Sequence, residues 1–283
     1  MQPNRAATRR GDVGWYGPES ATWRINSESA LMLGAGRALI LQVAHPLVGA
    51  GVARHSRYLT DPWGRLSHTL TAIRQITFGD VHAAERAAAR IRAEHARVRG
   101  VVRSGAAAGR PYDATDPLLV LWVWATLVDT WLVTYQRYVG ELLGDEIERF
   151  YNEQKRFAYA CGVVDGLCPE TFADFAAYFE QMVARTLEPT DAAHQVATMT
   201  LNPLGLPRAV TPLLELLGLS TVGLLPPHLR SALGLRWSPT RERAFDATAW
   251  GCRQTVRCLP PRVRRIRAAR RAAQRVVEPV AVG

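Results

Sequence analysis

The sequence predicts an all-α fold, a single-domain helical bundle, from three observations. Apolar residues recur at intervals of three and four, as from Val81 to Val98, which is the spacing of an amphipathic helix. Helix-start signals recur as well, because Asp61 and Asp116 are each followed by proline, the N-cap residue and first helical residue that helices favour. Strand-type alternation is scarce, and no internal repeat is visible.

Each predicted element follows from its local pattern. The apolar run from Ser29 to His45 is interrupted only by Arg37 and Gln42 and is too long for a typical strand, so it predicts a buried helix that ends before Pro46. The next helices are predicted from Pro62 to the stop at Gly79, and from the Asp80 cap to Arg99. Residues 101–115 are predicted as a loop, followed by helices at 117–139, 145–160, 170–186, 190–199 and 239–258, with short helical turns across 202–228.

Charge is concentrated at the two ends of the chain. The net charge is +10, yet residues 1–10 carry three arginines and residues 262–283 carry seven arginines and one glutamate. We therefore expect a basic flexible arm at 1–10, a nearly neutral helical domain at 11–261 and an arginine-rich tail at 262–283. The tail predicts peripheral contact with an anionic membrane. No helix-turn-helix, zinc or RRM pattern is visible, so no nucleic-acid partner is expected, although the charge keeps a nucleic-acid-binding regulator as an alternative.

Cysteine spacing and segment lengths favour a cytoplasmic protein. The four cysteines form no CxxC pair, and the N-terminal arginines lack the apolar region of a secretion signal. The best membrane-span candidate, Leu118 to Val133, is shorter than about 20 residues and contains Asp129. A homo-oligomer is compatible with the sequence.

His95 is the first candidate site residue. It lies in the apolar seam of its predicted helix, four residues after Ile91 and three before Val98. A core-facing imidazole is either hydrogen-bonded or a ligand. Pattern alone favours a satisfied core histidine, and the ligand remains the alternative. His82 lies off the seam.

The preceding helix carries the second candidate group. Arg65 and Thr69 are i and i+4, so they present a cation and a hydroxyl side by side. Such a pair can bind an anion or orient an oxygen species near a cofactor, and an exposed arginine beside a groove-filling threonine is the alternative. His68 lies about 60° beyond Arg65 around the helix and either reaches a cavity or points to water.

His45 and His55 flank the first apolar helix, and Arg57 follows His55; His45 and Arg57 are further candidates for cofactor contact. Capping of free carbonyl groups is the alternative for His45. The nearby glycines allow close approach of a helix or a flat cofactor. The sequence contains no nucleophile elbow, P-loop or HExxH motif, and no pair of Glu-x-x-His motifs.

Several long segments resemble a known family. They are WYGPESATWRINSESALMLGAGRALILQVAHPLVGAGVARHSRYLTDPWGRLSHTL, IRAEHARVRG, DPLLVLWVWATLVDTWLVTYQRYVG and LPPHLRSALGLRWSPTRERAF, which together lie within residues 14 to 265. They are similar to the oxygenase family that groups latex clearing protein (rubber oxygenase) with the ER-bound oxygenase of mycophenolic acid biosynthesis. The resemblance implies a globin-like helical core holding haem b, and dioxygen chemistry on carbon–carbon double bonds of apolar, often isoprenoid, substrates.

The resemblance also implies roles for single residues. His95 corresponds to the proximal haem ligand. Arg65 and Thr69 match two positions of the distal motif Arg-x-x-Lys-Thr and would position oxygen or a propionate, with His68 in place of the lysine. Trp124 stands where relatives often have histidine and would wall an apolar pocket or stack on the macrocycle. We therefore expect a haem b-dependent oxygenase, and a haem-binding sensor or carrier without turnover is the alternative.

Overall fold

The computed structural model describes residues 11–56, 61–201 and 210–277, and the fold is all-α. Its two short strands, β1 (Arg99–Val101) and β2 (Pro111–Asp113), pair antiparallel, and a 3₁₀ helix covers Ser29–Gly34. The helices are α1 Ala21–Asn26, α2 Ala35–Ala44, α3 Pro46–His55, α4 Pro62–Phe78, α5 Val81–His95, α6 Pro117–Tyr138, α7 Gly144–Cys161, α8 Phe172–Arg185, α9 Asp191–Leu201, α10 Thr211–Leu224, α11 Pro227–Ala232, α12 Pro239–Cys258, α13 Pro261–Arg264 and α14 Arg267–Val277.

The predicted helix starts are confirmed, because each aspartate accepts a hydrogen bond from a backbone N–H of the first turn. Asp61 caps α4 through the N–H of Gly64 at 2.9 Å, and Asp80 caps α5 through the N–H of Ala83 at 2.6 Å. Asp116 caps α6 in the same way. These bonds satisfy donors that the first turn of a helix leaves free, so the three caps fix where the long helices begin.

Four predicted elements are wrong in detail. The single helix predicted over 29–45 is split at Gly34 into the 3₁₀ helix and α2, and the helix α3 was not predicted because glycines weaken its pattern. α5 ends at His95 rather than Arg99, since Arg99 begins β1. The predicted loop 101–115 contains β2. The turns predicted over 202–228 include a regular helix, α10, while residues 202–209 lie outside the described residues.

The break at Gly34 has a packing cause. A Cβ atom on Gly34 would lie 2.2 Å from Oγ1 of Thr134 and 2.7 Å from Cγ2 of Thr130. The 3₁₀ helix therefore lies directly on α6, and only glycine allows this approach. The absence of a side chain at Gly34 thus lets the 3₁₀ helix pack closely on α6.

α6 is the central helix of the bundle. By length and composition it is able to cross a membrane, but 67% of its most apolar window is buried against other parts of the chain. Trp122 stacks on Phe179 of α8, with ring centroids 5.4 Å apart. The 3₁₀ helix, α2, α7 and α12 pack around α6. The apolar length of α6 thus serves the core of the domain.

The C-terminal helix α14 packs on the domain through one face. Ala269 and Ala272 are buried in a cluster with Trp23 and Phe78, and Nε of Arg275 donates to the carbonyl oxygen of Asp12 at 2.9 Å. The opposite face exposes several arginines, and the predicted division of the chain at residues 261 and 262 stays a prediction.

Candidate active site

A cavity of about 170 Å³ lies between the 3₁₀ helix, α2, α4 and α6. It runs along α4 from Arg65 to Thr77, which are separated by about 18 Å at ~1.5 Å per residue. The residues that line the cavity therefore extend along most of α4. Most of its wall is apolar, including Leu31, Leu39, Leu70, Ile73, Leu127 and Trp131.

Arg65 and Thr69 line one end of this cavity together. The guanidinium of Arg65 donates to Oγ1 of Thr69, and the Thr69 hydroxyl donates to the carbonyl oxygen of Arg65 at 3.0 Å. Both residues lie in the first two turns of α4. One of the five N–H donors of the guanidinium is thus used to fix its position, and the pair forms the polar mouth of an apolar cavity.

His95 ends α5, which packs along α4. Its ring is partly buried, and its Nδ1 atom is shielded from solvent without a hydrogen-bond partner. Burial lowers the pKa of His95, the carboxylate of Glu94 opposes this shift, and the guanidinium of Arg65 adds to it. The imidazole is therefore neutral at pH 7, which is the form that binds metal ions. The predicted seam is present, since Ala84 and Ala88 on the same face are buried.

His68 points away from the cavity. Its Nε2 atom lies 3.0 Å from Oε1 of Glu94, and both side chains are about half exposed. The side chain of His68 thus lies outside the apolar sector of α4, as its position around the helix predicts. The role that the sequence assigned to His68, beside Arg65 and Thr69, stays a prediction.

The structure does not bring His45 to this cavity. His45 is 8% exposed between α2 and α3, and its side chain makes no capping hydrogen bond. Burial lowers its pKa to about 4, and the charge of Arg110 contributes. Its Nδ1 atom has no hydrogen-bond partner. Arg57, the other candidate from this region, lies outside the described residues.

Trp124 belongs to the aromatic core and not to the cavity wall. Its Nε1 atom donates to the carbonyl oxygen of Gln154 at 3.1 Å, and its ring packs against Tyr151 and Phe175. The side chain is 3% exposed. Its position is on the α7 and α8 side of α6, and the cofactor contact expected for it stays a prediction.

Two polar residues at the far end of the cavity were missed from the sequence. Asn26 ends α1, and Glu28 follows it just before the apolar run. Nothing in the local pattern marks them, because the partner of Glu28 is Arg264, almost at the other end of the chain. The feature that marks Glu28 is the burial of its carboxylate beside an apolar segment. Burial depends on the fold and cannot be read from the local sequence.

The donor set in the described part of the chain suits a metal that brings most of its own ligands. There, no three His, Cys, Asp or Glu side chains converge as a metal site. A single neutral imidazole such as His95 fits an iron whose other ligands come from a macrocycle, because haem needs only axial protein ligands. His95 thus has the chemistry of a haem ligand, and the haem itself stays a prediction.

Comparison with known proteins decides the family. The model described as "ER-bound oxygenase mpaB/B'/Rubber oxygenase, catalytic domain" matches residues 23–254. The chain belongs to this oxygenase family. It is also 28% identical over 238 residues to the uncharacterized proteins Rv2237 of Mycobacterium tuberculosis and Mb2261 of Mycobacterium bovis, covering 79% of this chain and 88% of each relative. No solved structure matches the chain.

The matched range includes the candidate site residues named above, while Ile266, which also lines the cavity, follows it. Arg65, Thr69 and His95 all lie inside the matched residues, as do Asn26 and Glu28. The matched range ends at residue 254, so α13 and α14 follow it. The family assignment supports an oxygenase-type function for the helical domain that carries the cavity.

Proposed function

We propose that this protein is a haem b-dependent oxygenase that uses dioxygen on an apolar small molecule with a carbon–carbon double bond, such as an isoprenoid. One observation carries the proposal: His95 presents a neutral imidazole with an unused ring nitrogen, and Arg65, whose charge acts on His95, lines an apolar cavity. The oxygenase family supports the reaction class.

In this proposal, each residue has a distinct role. His95 would hold the haem iron, and the haem would supply the redox chemistry for the reaction with dioxygen. Arg65 presents fixed N–H donors for a propionate or an oxygen species, and Thr69 holds the guanidinium in place. The aliphatic wall along α2, α4 and α6 binds the apolar substrate and excludes water.

The absorption spectrum of protein expressed with added haem precursor tests the cofactor. We expect a Soret band for the wild type and its loss or strong shift in His95→Ala. His82→Ala is the matched control, because His82 is an exposed histidine on the same helix and its replacement should leave the band unchanged. A missing band in the wild type, or an unchanged band in His95→Ala, would refute the assignment of His95.

A haem-binding sensor or carrier is the second candidate function. The orientation of His68 favours it, because the residue that stands at the distal lysine position of the family pairs with Glu94 and not with the cavity. This alternative expects a Soret band without oxygen consumption. An oxygen electrode distinguishes the two, with the reduced protein and an isoprenoid alkene as the added substrate.

We also propose peripheral attachment to anionic membranes through the C-terminal helix. Arg267, Arg270 and Arg271 are exposed on the face of α14 that points away from the domain. Arginine side chains are attracted to anionic lipid surfaces. A membrane is also where apolar substrates accumulate, so attachment would place the cavity near its substrate.

A further inference from the structure

The end of the cavity opposite Arg65 holds polar atoms whose hydrogen-bonding capacity is unused. Asn26 is 8% exposed, and both its Nδ2 and Oδ1 atoms are shielded from solvent without a hydrogen-bond partner. Glu28 is 3% exposed, and its Oε1 atom lies 2.8 Å from Nη1 of Arg264 while Oε2 has no hydrogen-bond partner. Both residues line the cavity.

Buried polar atoms without hydrogen-bond partners destabilise the folded protein unless a ligand binds them. An unsatisfied buried amide or carboxylate atom costs about 1–3 kcal/mol, and most buried polar groups in proteins have partners. Here three unpartnered atoms belong to two neighbouring residues that line one cavity. The rest of the wall is mostly apolar, and its other polar residues include Gln42 and Thr130, which already have hydrogen-bond partners, and Arg74.

The pattern of hydrogen-bond donors and acceptors restricts the chemical class of ligand that can bind at this end of the cavity. The Asn26 amide both donates and accepts, and the free carboxylate oxygen of Glu28 accepts. A hydroxyl group, which donates one hydrogen bond and accepts others, matches both. Glu28 is already paired with Arg264, so it offers little net counter-charge to an ammonium group, and its free oxygen would face a carboxylate or phosphate unfavourably. The chemistry therefore favours a neutral hydroxyl.

We propose that this cavity binds an alcohol with a single apolar chain, its hydroxyl held by Asn26 and Glu28 and its chain lying along α4 toward Arg65. The length of the cavity, about 18 Å along α4, suits an extended chain. This deepens the proposed function by naming the substrate class. It places the double bond that reacts at the end of the molecule remote from the hydroxyl.

Titration calorimetry with two matched probes tests this binding mode on the full chain. The probes are geraniol and 2,6-dimethyl-2,6-octadiene, the hydrocarbon in which hydrogen replaces the hydroxyl. We expect wild-type protein to bind geraniol at least about tenfold more tightly, which corresponds to about 1.4 kcal/mol. Equal affinities, or no binding of geraniol, would overturn the proposal without any variant being needed.

The variant Asn26→Leu removes the amide at similar volume. It should reduce the preference for geraniol to less than about threefold while the hydrocarbon binds about as before, and a retained preference would overturn the proposal. Asn152→Leu is the matched control, because Asn152 is exposed on α7, where its amide donates to the carboxylate of Glu148. Asn26→Ser serves if the leucine variant fails to fold.

The result of the alcohol-binding experiment can be distinguished from the result of the haem-binding experiment. Binding of the alcohol needs Asn26 and Glu28 but no iron, so the preference for geraniol is expected in protein that shows no Soret band. A protein that binds haem without this preference overturns only the present inference. A protein with the preference and no haem overturns only the proposed cofactor.

Discussion

Nη2 of Arg37 lies 2.6 Å from Oδ2 of Asp129, so the two charges that interrupt the most apolar segments of the chain neutralise each other inside the bundle. Arg37 also donates from Nε to the carbonyl oxygen of Leu224 at 2.8 Å and from Nη1 to Oγ1 of Thr130 at 2.6 Å. The arginine side chain is 5% exposed and the aspartate 20%. One guanidinium thus joins α2, α6 and the end of α10.

Replacing Arg37 by methionine should be strongly destabilising, because it leaves a carboxylate without its counter-ion and a hydroxyl and a carbonyl without their donor. We expect a loss of about 3–5 kcal/mol in the free energy of unfolding, measured by urea denaturation. Asp129→Asn should cost less, since this carboxylate is partly solvated. The double variant Arg37→Met/Asp129→Asn should recover part of the loss, and strict additivity of the two single changes would contradict the coupling. Arg86→Met, an exposed change on α5, is the control.

Stability should fall on mild acidification because of His45. Burial lowers the pKa of His45 to about 4 from 6.5, so the unfolded chain binds a proton that the folded protein does not. This contribution is complete above pH 6.5 and is lost as the pH falls toward 4. The loss at pH 5 relative to pH 7.5 should be about 2 kcal/mol.

The variant His45→Gln isolates that contribution. Its unfolding free energy should depend less on pH between 7.5 and 5 than that of the wild type, with the remaining slope coming in part from His95, whose pKa burial also lowers. His82→Gln is the control, because His82 is exposed and its replacement should leave the slope intact. An unchanged slope in His45→Gln would mean that His45 protonates equally in both states.

The sequence predicted the elements whose signals are local. Asp61, Asp80 and Asp116 mark the starts of α4, α5 and α6 because an N-cap acts within its own first turn. The break at Gly34 was not predictable, since it depends on contact with Thr130 and Thr134 on a helix far along the chain. Tertiary packing overrides local pattern at such positions.

The residues of the candidate site likewise fall into those that the local sequence predicted and those that it did not. The seam of α5 placed His95 toward the core, and the i, i+4 spacing placed Arg65 beside Thr69, because both rules act within one helix. Asn26 and Glu28 were missed, since their importance comes from burial under elements that include α13, which supplies Arg264. Residues whose role depends on distant segments need the fold before they can be recognised.

Gly34→Ala should destabilise the protein by about 1–3 kcal/mol through overpacking. The new Cβ would lie 2.2 Å from Oγ1 of Thr134, so either the 3₁₀ helix or α6 must move. Gly251→Ala in α12 is the matched control. No heavy atom outside its own helix lies within 4 Å of that Cβ, and it should gain about 0.5–1 kcal/mol from helix propensity. Urea denaturation of both variants measures the contrast, and a Gly34→Ala protein as stable as the wild type would disprove the tight contact.

Membrane attachment through α14 should depend on its exposed arginines. Near an anionic surface each arginine contributes about 1 kcal/mol, so replacing Arg267, Arg270 and Arg271 by glutamine should weaken binding to phosphatidylserine-containing vesicles about 100-fold. Cosedimentation measures the bound fraction, and added salt should reduce wild-type binding. The matched control replaces Arg86, Arg90 and Arg97, which are exposed on and just after α5, and changes the net charge equally. Equal effects of the two triple changes would show that total charge, and not the face of α14, sets the affinity.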